Sequence, residues 1–229
     1  MRRQDGLFKL AVAALVATSA LVIIVGVVWG VRFLTVSHNQ PAAQSTNASD
    51  YALGGFPLPG DLAPDFTLSD QFGHPVTLST LRGHEVVLAF IDSECKTLCP
   101  LTSTIMYTAK AELPTSATKQ VLLIAVNANP NATSIASVQA WSINHGMLHQ
   151  WQFLTGTAQK LQSIYSSFKI YDQVNPDKSI THDPIIFIID AQGHERLYYE
   201  TLDSSNQADL RSQELGLEAG MKQWLPQSS

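Results

Sequence analysis

The pattern of apolar positions separates one long uninterrupted run near the start of the chain from a body of shorter segments. Residues 10–31 contain no charged side chain, and 18 of these 22 residues are apolar. At about 1.5 Å per residue, a helix over this run is about 33 Å long, enough to cross a hydrocarbon core of about 30 Å. The run is longer than the apolar region of a cleaved signal peptide. The pattern therefore predicts one transmembrane anchor over residues 10–31, with a processed signal as the alternative.

The charges around this run predict its orientation. Four cations flank it, three before it and one directly after it: Arg2, Arg3, Lys9 and Arg32. Because cytoplasmic flanks carry the excess of Lys and Arg, residues 1–9 are predicted to be cytoplasmic in a single-pass cell-membrane protein. Residues 32–60 are mostly small and polar, without periodicity, and predict a flexible linker. Residues 61–229 then form the extracytoplasmic domain.

The body alternates predicted strands and helices. Near-continuous apolar runs over residues 85–91, 121–126 and 185–189 are typical of strands buried on both faces. A hairpin over residues 66–68 and 75–78 precedes them, and a further strand covers residues 194–200. The predicted helices cover residues 101–113, 133–145, 157–168 and 207–224. This order indicates one α/β domain. A thioredoxin-like fold with an N-terminal β-hairpin extension is the preferred arrangement, and that choice depends on where the cysteines lie.

Charge narrows the classes of function. The chain has 14 Lys and Arg against 19 Asp and Glu, a net charge of −5. Residues 1–36 hold four cations and one anion, so residues 37–229 carry a net charge of −8. An acidic body argues against nucleic acid as a partner, because phosphate binding needs clustered Lys and Arg. The two cysteines are too few for a disulfide scaffold.

Both cysteines follow the first predicted buried strand directly. Cys95 and Cys99 are separated by three residues, and Pro100 can serve as the first residue of a helix. Ligands in open α/β sheets collect at the carboxyl ends of strands, and a helix start lowers the pKa of nearby thiols. A thiolate can act as the nucleophile of disulfide exchange or as a ligand for a soft metal. A purely structural disulfide is a third reading, although so small a ring removes little chain entropy.

One of the seven histidines stands out by its position. His182 lies directly before the third predicted buried strand, and in a thioredoxin arrangement that segment faces the cysteine loop. Together with two thiolates, its imidazole would form a site suited to copper. Without the fold, a single histidine before a strand is more often a surface residue than a ligand.

At this point the sequence resembles the Sco/SenC family over about residues 61–200. Five features carry the resemblance: Ala63-Pro-Asp-Phe-Thr-Leu68, the strand before Cys95, the Cys95-x-x-x-Cys99-Pro100 spacing, Leu154-Thr-Gly156, and His182 eight residues before Asp190. The family consists of membrane-tethered thioredoxin-fold proteins that deliver copper to cytochrome c oxidase, and some members reduce disulfides. The resemblance implies Cys95, Cys99 and His182 as copper ligands. It also implies an oxidase subunit or another thiol protein as partner.

The sequence departs from the family pattern near both halves of the implied site. Lys96-Thr97 stands where the family has Pro-Asp, and residues 127–130 read Asn-Ala-Asn-Pro in place of an acidic stretch. Asp183 follows the histidine, where the family often has Ser. Lys96 favours thiolates but repels a metal ion. A membrane-anchored thiol-disulfide oxidoreductase, with Cys95 as nucleophile and Cys99 as resolving residue, is therefore the alternative to a copper chaperone.

Overall fold

The computed structural model describes residues 55–175, 180–182 and 184–226. The predicted anchor over residues 10–31 lies outside these ranges, as do residues 1–9 and most of the predicted linker. In the part of the chain that the structure describes, no helix is both long and apolar enough to cross a bilayer.

Short strands and five helices make up the described chain. In chain order the strands are β1 (Phe56–Pro57), β2 (Thr67–Ser69), β3 (Pro75–Thr77), β4 (Glu85–Ile91), β5 (Val121–Asn127), β6 (Gln152–Leu154), β7 (Asp172–Val174), β8 (Ile180–His182), β9 (Ile185–Ile189) and β10 (Glu195–Glu200). The α-helices are α1 (Leu98–Ala111), α2 (Thr115–Thr118), α3 (Ile135–Asn144), α4 (Ala158–Ser167) and α5 (Gln207–Trp224), and a 3₁₀ turn covers Leu78–Leu81.

A six-stranded sheet in the order β1-β10-β9-β4-β5-β6 forms the centre of the fold. Strands β4, β5 and β6 are parallel, whereas β9 runs antiparallel to β4 and β10 antiparallel to β9. Two separate hairpins, β2-β3 and β7-β8, lie outside this sheet. The α/β architecture and the early hairpin are therefore confirmed. Strand β1 pairs with β10 and lies within the segment predicted as a linker.

Helices cover both faces of the sheet because β4 is apolar at nearly every position. All seven residues of β4 are buried. Val87, Ala89 and Ile91 join the core under α1, α3 and α5, while Leu88 and Phe90 face the core under α4 and the β2-β3 hairpin. Each fully buried side chain of this size contributes about 1.5–3 kcal/mol. This packing fixes the end of β4, where the cysteine loop begins.

Most predicted elements are confirmed within a few residues, and two helix starts differ by at least two residues. The strands at residues 85–91 and 185–189 and the helix at residues 207–224 match the structure. Helix α3 begins at Ile135, two residues later than predicted, because the Ser134 hydroxyl caps it by accepting the Ser137 N–H at 3.0 Å. Helix α1 begins at Leu98, earlier than predicted, because the sulfur of Cys95 accepts the N–H of its second residue, Cys99. The three-residue strands β6, β7 and β8 were not predicted.

Tyr199 packs directly against the backbone of α5 at Gly220, which makes Gly220→Ala an informative substitution. A Cβ at Gly220 would overlap Tyr199 Oη and lie 3.0 Å from side-chain carbons of Ile188 and Leu197. Helix propensity alone predicts that alanine stabilises the protein by about 1 kcal/mol. Overpacking reverses the sign, so we expect the free energy of unfolding to fall by about 1–3 kcal/mol.

Urea denaturation measures this effect, with Ala219→Gly as a control at the exposed neighbouring position. The control changes helix propensity without changing buried packing, so it should lose only about 1 kcal/mol. A Gly220→Ala protein more stable than the wild type would show that Tyr199 does not pack as described.

Candidate metal and thiol site

The loop after β4 is held in a defined turn by Asp92. The Asp92 carbonyl accepts a hydrogen bond from the Cys95 N–H at 3.1 Å. The Asp92 carboxylate accepts the Glu94 N–H at 2.8 Å, the local bond that aspartate forms two residues ahead in turns. The turn therefore places Cys95 next to the beginning of α1.

The sulfur of Cys95 takes the role of a helix cap. The first N–H groups of a helix lack partners within the helix, and the Thr97 side chain, at the N-cap position, forms no capping bond. Instead the Cys99 N–H donates to Cys95 Sγ at 3.4 Å. Helix α1 can therefore begin at Leu98, so Pro100 is its third residue and not its first.

This arrangement makes the two thiols unequal. The thiol of Cys99 hydrogen-bonds to Cys95 Sγ, and with the backbone N–H groups of Thr97 and Cys99 it lowers the pKa of Cys95 to about 5, against the opposing effect of burial. The same thiol–thiol bond, together with burial, raises the pKa of Cys99 far above its usual value. Cys95 is half-buried and Cys99 is 1% exposed. At neutral pH the pair is one accessible thiolate and one buried thiol.

His182 lies on the other side of Cys99. Its Nε2 atom is 3.6 Å from Cys99 Sγ, and its side chain is half-buried. Strand β8, which ends at His182, pairs with β7, where Asp172 is the partner of His182. The structure thus brings both predicted cysteines and the predicted histidine to one end of β4.

The other described histidines have different surroundings. His74 and His194 each lie about one hydrogen-bond length from a carboxylate, at 3.4 Å from Asp70 and 3.5 Å from Asp190. The ring of His145 stacks on Trp141, that of His149 stacks on Phe72, and His84 is exposed before β4. Among the described histidines, His182 is the one in contact with a cysteine.

Two sulfur atoms and one imidazole nitrogen provide a donor set for a soft metal ion such as copper. Across the described ranges, no group of three or more His, Cys, Asp or Glu side chains is already arranged to hold a metal ion. Cys95 contacts Cys99, and Cys99 contacts His182, so the three groups meet in pairs. Metal binding would require Cys95 Sγ and His182 Nε2 to turn toward a common point. The same thiolate and thiol also suit disulfide exchange.

Three polar residues of this region were not singled out from the sequence as site residues. Asp92 and Glu94 lie on the cysteine loop, and Asn129 follows β5; the Asn129 amide contacts both carboxylates. A signal was present, because polar residues after adjacent parallel strands meet at one edge of the sheet. Only the structure shows which atoms meet.

Comparison with known proteins identifies the family. A family model described as SCO1/SenC matches residues 57–214 of the chain. The chain belongs to the SCO1/SenC family. The Sco/SenC resemblance inferred from the sequence is therefore confirmed.

Relatives of the SCO1/SenC family share the fold at low sequence identity. The SCO1 protein homolog of Bacillus subtilis (strain 168) is 24% identical over 160 residues, which cover 68% of this chain and 82% of that protein. The structure of Arabidopsis thaliana ScoI, solved with copper bound, has a TM-score of 0.60 and 19% identity, covering 72% of this chain and 100% of that one. A SCO1/SenC lipoprotein from Bacillus anthracis str. Ames has a TM-score of 0.60 and 20% identity, covering 73% and 96%. These structures confirm the thioredoxin-like Sco fold.

Proposed function

We propose that this SCO1/SenC protein binds one copper ion through Cys95, Cys99 and His182 and delivers it to a respiratory cytochrome oxidase centre. The observation that carries the proposal is the 3.6 Å contact between Cys99 Sγ and His182 Nε2, which joins the two distant parts of the sequence motif. Sco proteins of Arabidopsis thaliana and Bradyrhizobium japonicum have been solved with copper bound. Another structural relative, BsSco, is described as a member of the Sco family of cytochrome c oxidase assembly proteins.

The unequal thiols suggest how the ion is taken up. Cys95 is accessible and already a thiolate, so it provides the first ligand. The Cys99 pKa is strongly raised, so an ion that binds Cys99 must displace its proton. Two thiolates and a neutral imidazole then offset the charge of the ion. Copper is the cargo, and it leaves by exchange of ligands with the recipient, beginning at the accessible Cys95.

The cellular arrangement is part of the proposal. Residues 10–31 would anchor the chain in the cell membrane with residues 1–9 in the cytoplasm, and residues 32–60 would tether the domain outside. The length and charge of the apolar segment support this arrangement. A related SCO1/SenC protein from Bacillus anthracis is described as a lipoprotein.

The difference between the two thiols also supports thiol-disulfide exchange as a second candidate function. The Cys95 thiolate would attack a partner disulfide, form a mixed disulfide and release one partner thiolate. Cys99, once deprotonated, would attack Cys95 Sγ, release the second partner thiolate and leave a Cys95–Cys99 disulfide. Two electrons pass to the partner, and an external dithiol must reduce the pair again.

Replacing His182 by alanine separates these two functions. We expect the reduced full-length wild type to bind one Cu(I) ion, measured by competition with a coloured chelator. Loss of a second-shell partner typically costs a metal site 10–100-fold in affinity, so loss of the imidazole ligand should cost at least about 100-fold. The rate of disulfide exchange should remain within about twofold of the wild type, since the thiols persist.

His84→Ala is the matched control, because His84 is exposed and lies before β4, at the opposite end of that strand from the cysteine loop. Its copper affinity should equal that of the wild type. A wild type that binds no copper, or a His182→Ala protein that binds it as tightly as the wild type, would refute the proposed ligand set.

A further inference from the structure

The backbone of Asp92 holds the cysteine pair through Cys95. Its carbonyl accepts the Cys95 N–H at 3.1 Å, and Cys95 Sγ in turn accepts the Cys99 N–H at 3.4 Å. Asp92 directly follows β4 and is 6% exposed. Any group that fixes Asp92 therefore also fixes the relative positions of the two thiols.

The Asn129 side chain is the group that holds Asp92. Asn129 Nδ2 donates to Asp92 Oδ1 at 2.9 Å and to Glu94 Oε2 at 3.2 Å. Asn129 is 1% exposed and follows β5, whose last residue, Asn127, is paired with Ile91 at the end of β4. One neutral amide thus bridges two carboxylates of the cysteine loop from the neighbouring strand.

The contact made by the side-chain oxygen of Asn129 fixes the direction in which its amide points. The Asn129 N–H donates to Asn127 Oδ1 at 3.1 Å, and Asn129 Oδ1 accepts the Asn131 N–H at 2.9 Å. A flipped amide would direct its oxygen at two carboxylates and its nitrogen at an N–H group. The hydrogen bonds therefore assign the orientation shown.

We infer that Asn129 is a positioning residue for the thiol site, acting through Asp92 rather than by contact with the metal. The inference rests on the proposed copper function for one of its two readouts. Only an amide supplies two N–H donors without adding a charge, which is what two adjacent carboxylates require. An aspartate of the same shape offers no donor and adds a third negative charge, so it should release Asp92 and with it both thiols.

Asn129→Asp in the full-length reduced chain tests the inference. We expect its Cu(I) affinity, measured by chelator competition, to fall 10–100-fold, and its rate of exchange with an aromatic disulfide to fall several-fold. Asn131→Asp is the matched control, because it makes the same change two residues away at an exposed side chain and keeps the backbone N–H that Asn129 uses. The control should match the wild type in both measurements.

A swap variant distinguishes positioning from general damage. In Asp92→Asn/Asn129→Asp the donor and acceptor exchange places, so the bond can form again, and we expect at least half of the lost affinity on a logarithmic scale to return. If Asn129→Asp is unfolded by circular dichroism, Asn129→Ala, which adds no charge, should show a loss in the same direction. Wild-type affinity and exchange rate in the folded Asn129 variants would overturn the inference, as would a swap no better than Asn129→Asp. If the wild type binds no copper, the proposed function fails while the exchange rates still test Asn129.

Discussion

Replacing Glu85 by glutamine should leave the free energy of unfolding nearly unchanged at pH 5 and raise it by several kcal/mol at pH 9. Glu85 is the first residue of β4 and is 0% exposed. Among the described residues, neither of its carboxyl oxygens has a hydrogen-bond partner. Burial, assisted by the charge of Asp190, raises the pKa of Glu85 to about 8. The folded protein therefore keeps this carboxyl protonated at neutral pH.

The sign follows from proton binding in the two states. Between the ordinary pKa of 4.5 and the folded value of about 8, the folded state holds a proton that the unfolded state has lost. Stability is therefore highest below pH 4.5 and falls as the pH rises through 8. At about 1.4 kcal/mol per pKa unit, the total loss is up to about 5 kcal/mol. Glutamine cannot ionise, so the variant avoids this loss.

Urea denaturation at several pH values from 5 to 9 measures the difference between variant and wild type. Both proteins should carry Cys95→Ser and Cys99→Ser, because the lowered pKa of Cys95 contributes stability that increases with pH over this range. Glu112→Gln, at a carboxylate with 48% side-chain exposure, is the control for the same replacement at an exposed position. A difference between Glu85→Gln and wild type that is flat from pH 5 to 9 would contradict the account of Glu85.

Cys95 should be alkylated by iodoacetamide at a rate that is nearly constant above about pH 6.5 and falls to half near pH 5. An ordinary thiol, with a pKa near 8.5, instead gains about tenfold in rate per pH unit over this range. At pH 6 the thiolate fraction of Cys95 is about 300-fold larger than that of an ordinary thiol. The Cys95 thiolate is less basic and therefore less nucleophilic than an ordinary thiolate. Cys95 should therefore be alkylated only roughly tenfold faster than an ordinary thiol at pH 6. The position of the inflection is the more direct readout.

The Cys99→Ala variant tests the cause of this low pKa. The thiol of Cys99 is the largest contributor to it, so its removal should move the inflection for Cys95 upward. The Cys95→Ser protein is the control and should be alkylated very slowly, because Cys99 is 1% exposed and its burial still raises the pKa of the thiol. An inflection above pH 8 in the wild type, or one unmoved by Cys99→Ala, would show that the Cys99 thiol does not stabilise the Cys95 thiolate as described.

The sequence predicted the parts of the fold that long apolar patterns determine. The run at residues 85–91 and the periodic segment at residues 207–224 match β4 and α5. The position and spacing of the cysteines predicted a thiol or metal site at the end of β4. The start of α1 could not be predicted in this way. Its cap is the sulfur of Cys95, four residues before the Cys99 N–H that donates to it, and not a Ser, Thr, Asp or Asn at the usual position.

The features that could not be predicted from the sequence depend on tertiary contacts. The three-residue strands β7 and β8 carry too few residues for a periodic signal, so the pairing that positions His182 was not predicted. The expectation that His182 faces the cysteine loop came only from the thioredoxin arrangement. Residues 127–130 were noted as a departure from the family pattern, but the bridge from Asn129 to Asp92 depends on the register of β5 against β4. Glu85 was correctly placed in a buried strand. Its lack of a partner depends on what packs around it.

X-ray absorption at the copper K-edge tests the central claim most directly. The sample is the reduced full-length chain loaded with one Cu(I) ion, compared with His182→Ala loaded in the same way. The proposed site predicts two sulfur scatterers and one nitrogen scatterer in the wild type, with the imidazole contribution lost in the variant. A shell of sulfur alone in the wild type, or an unchanged spectrum in His182→Ala, would contradict the assignment of Cys95, Cys99 and His182 as the copper site.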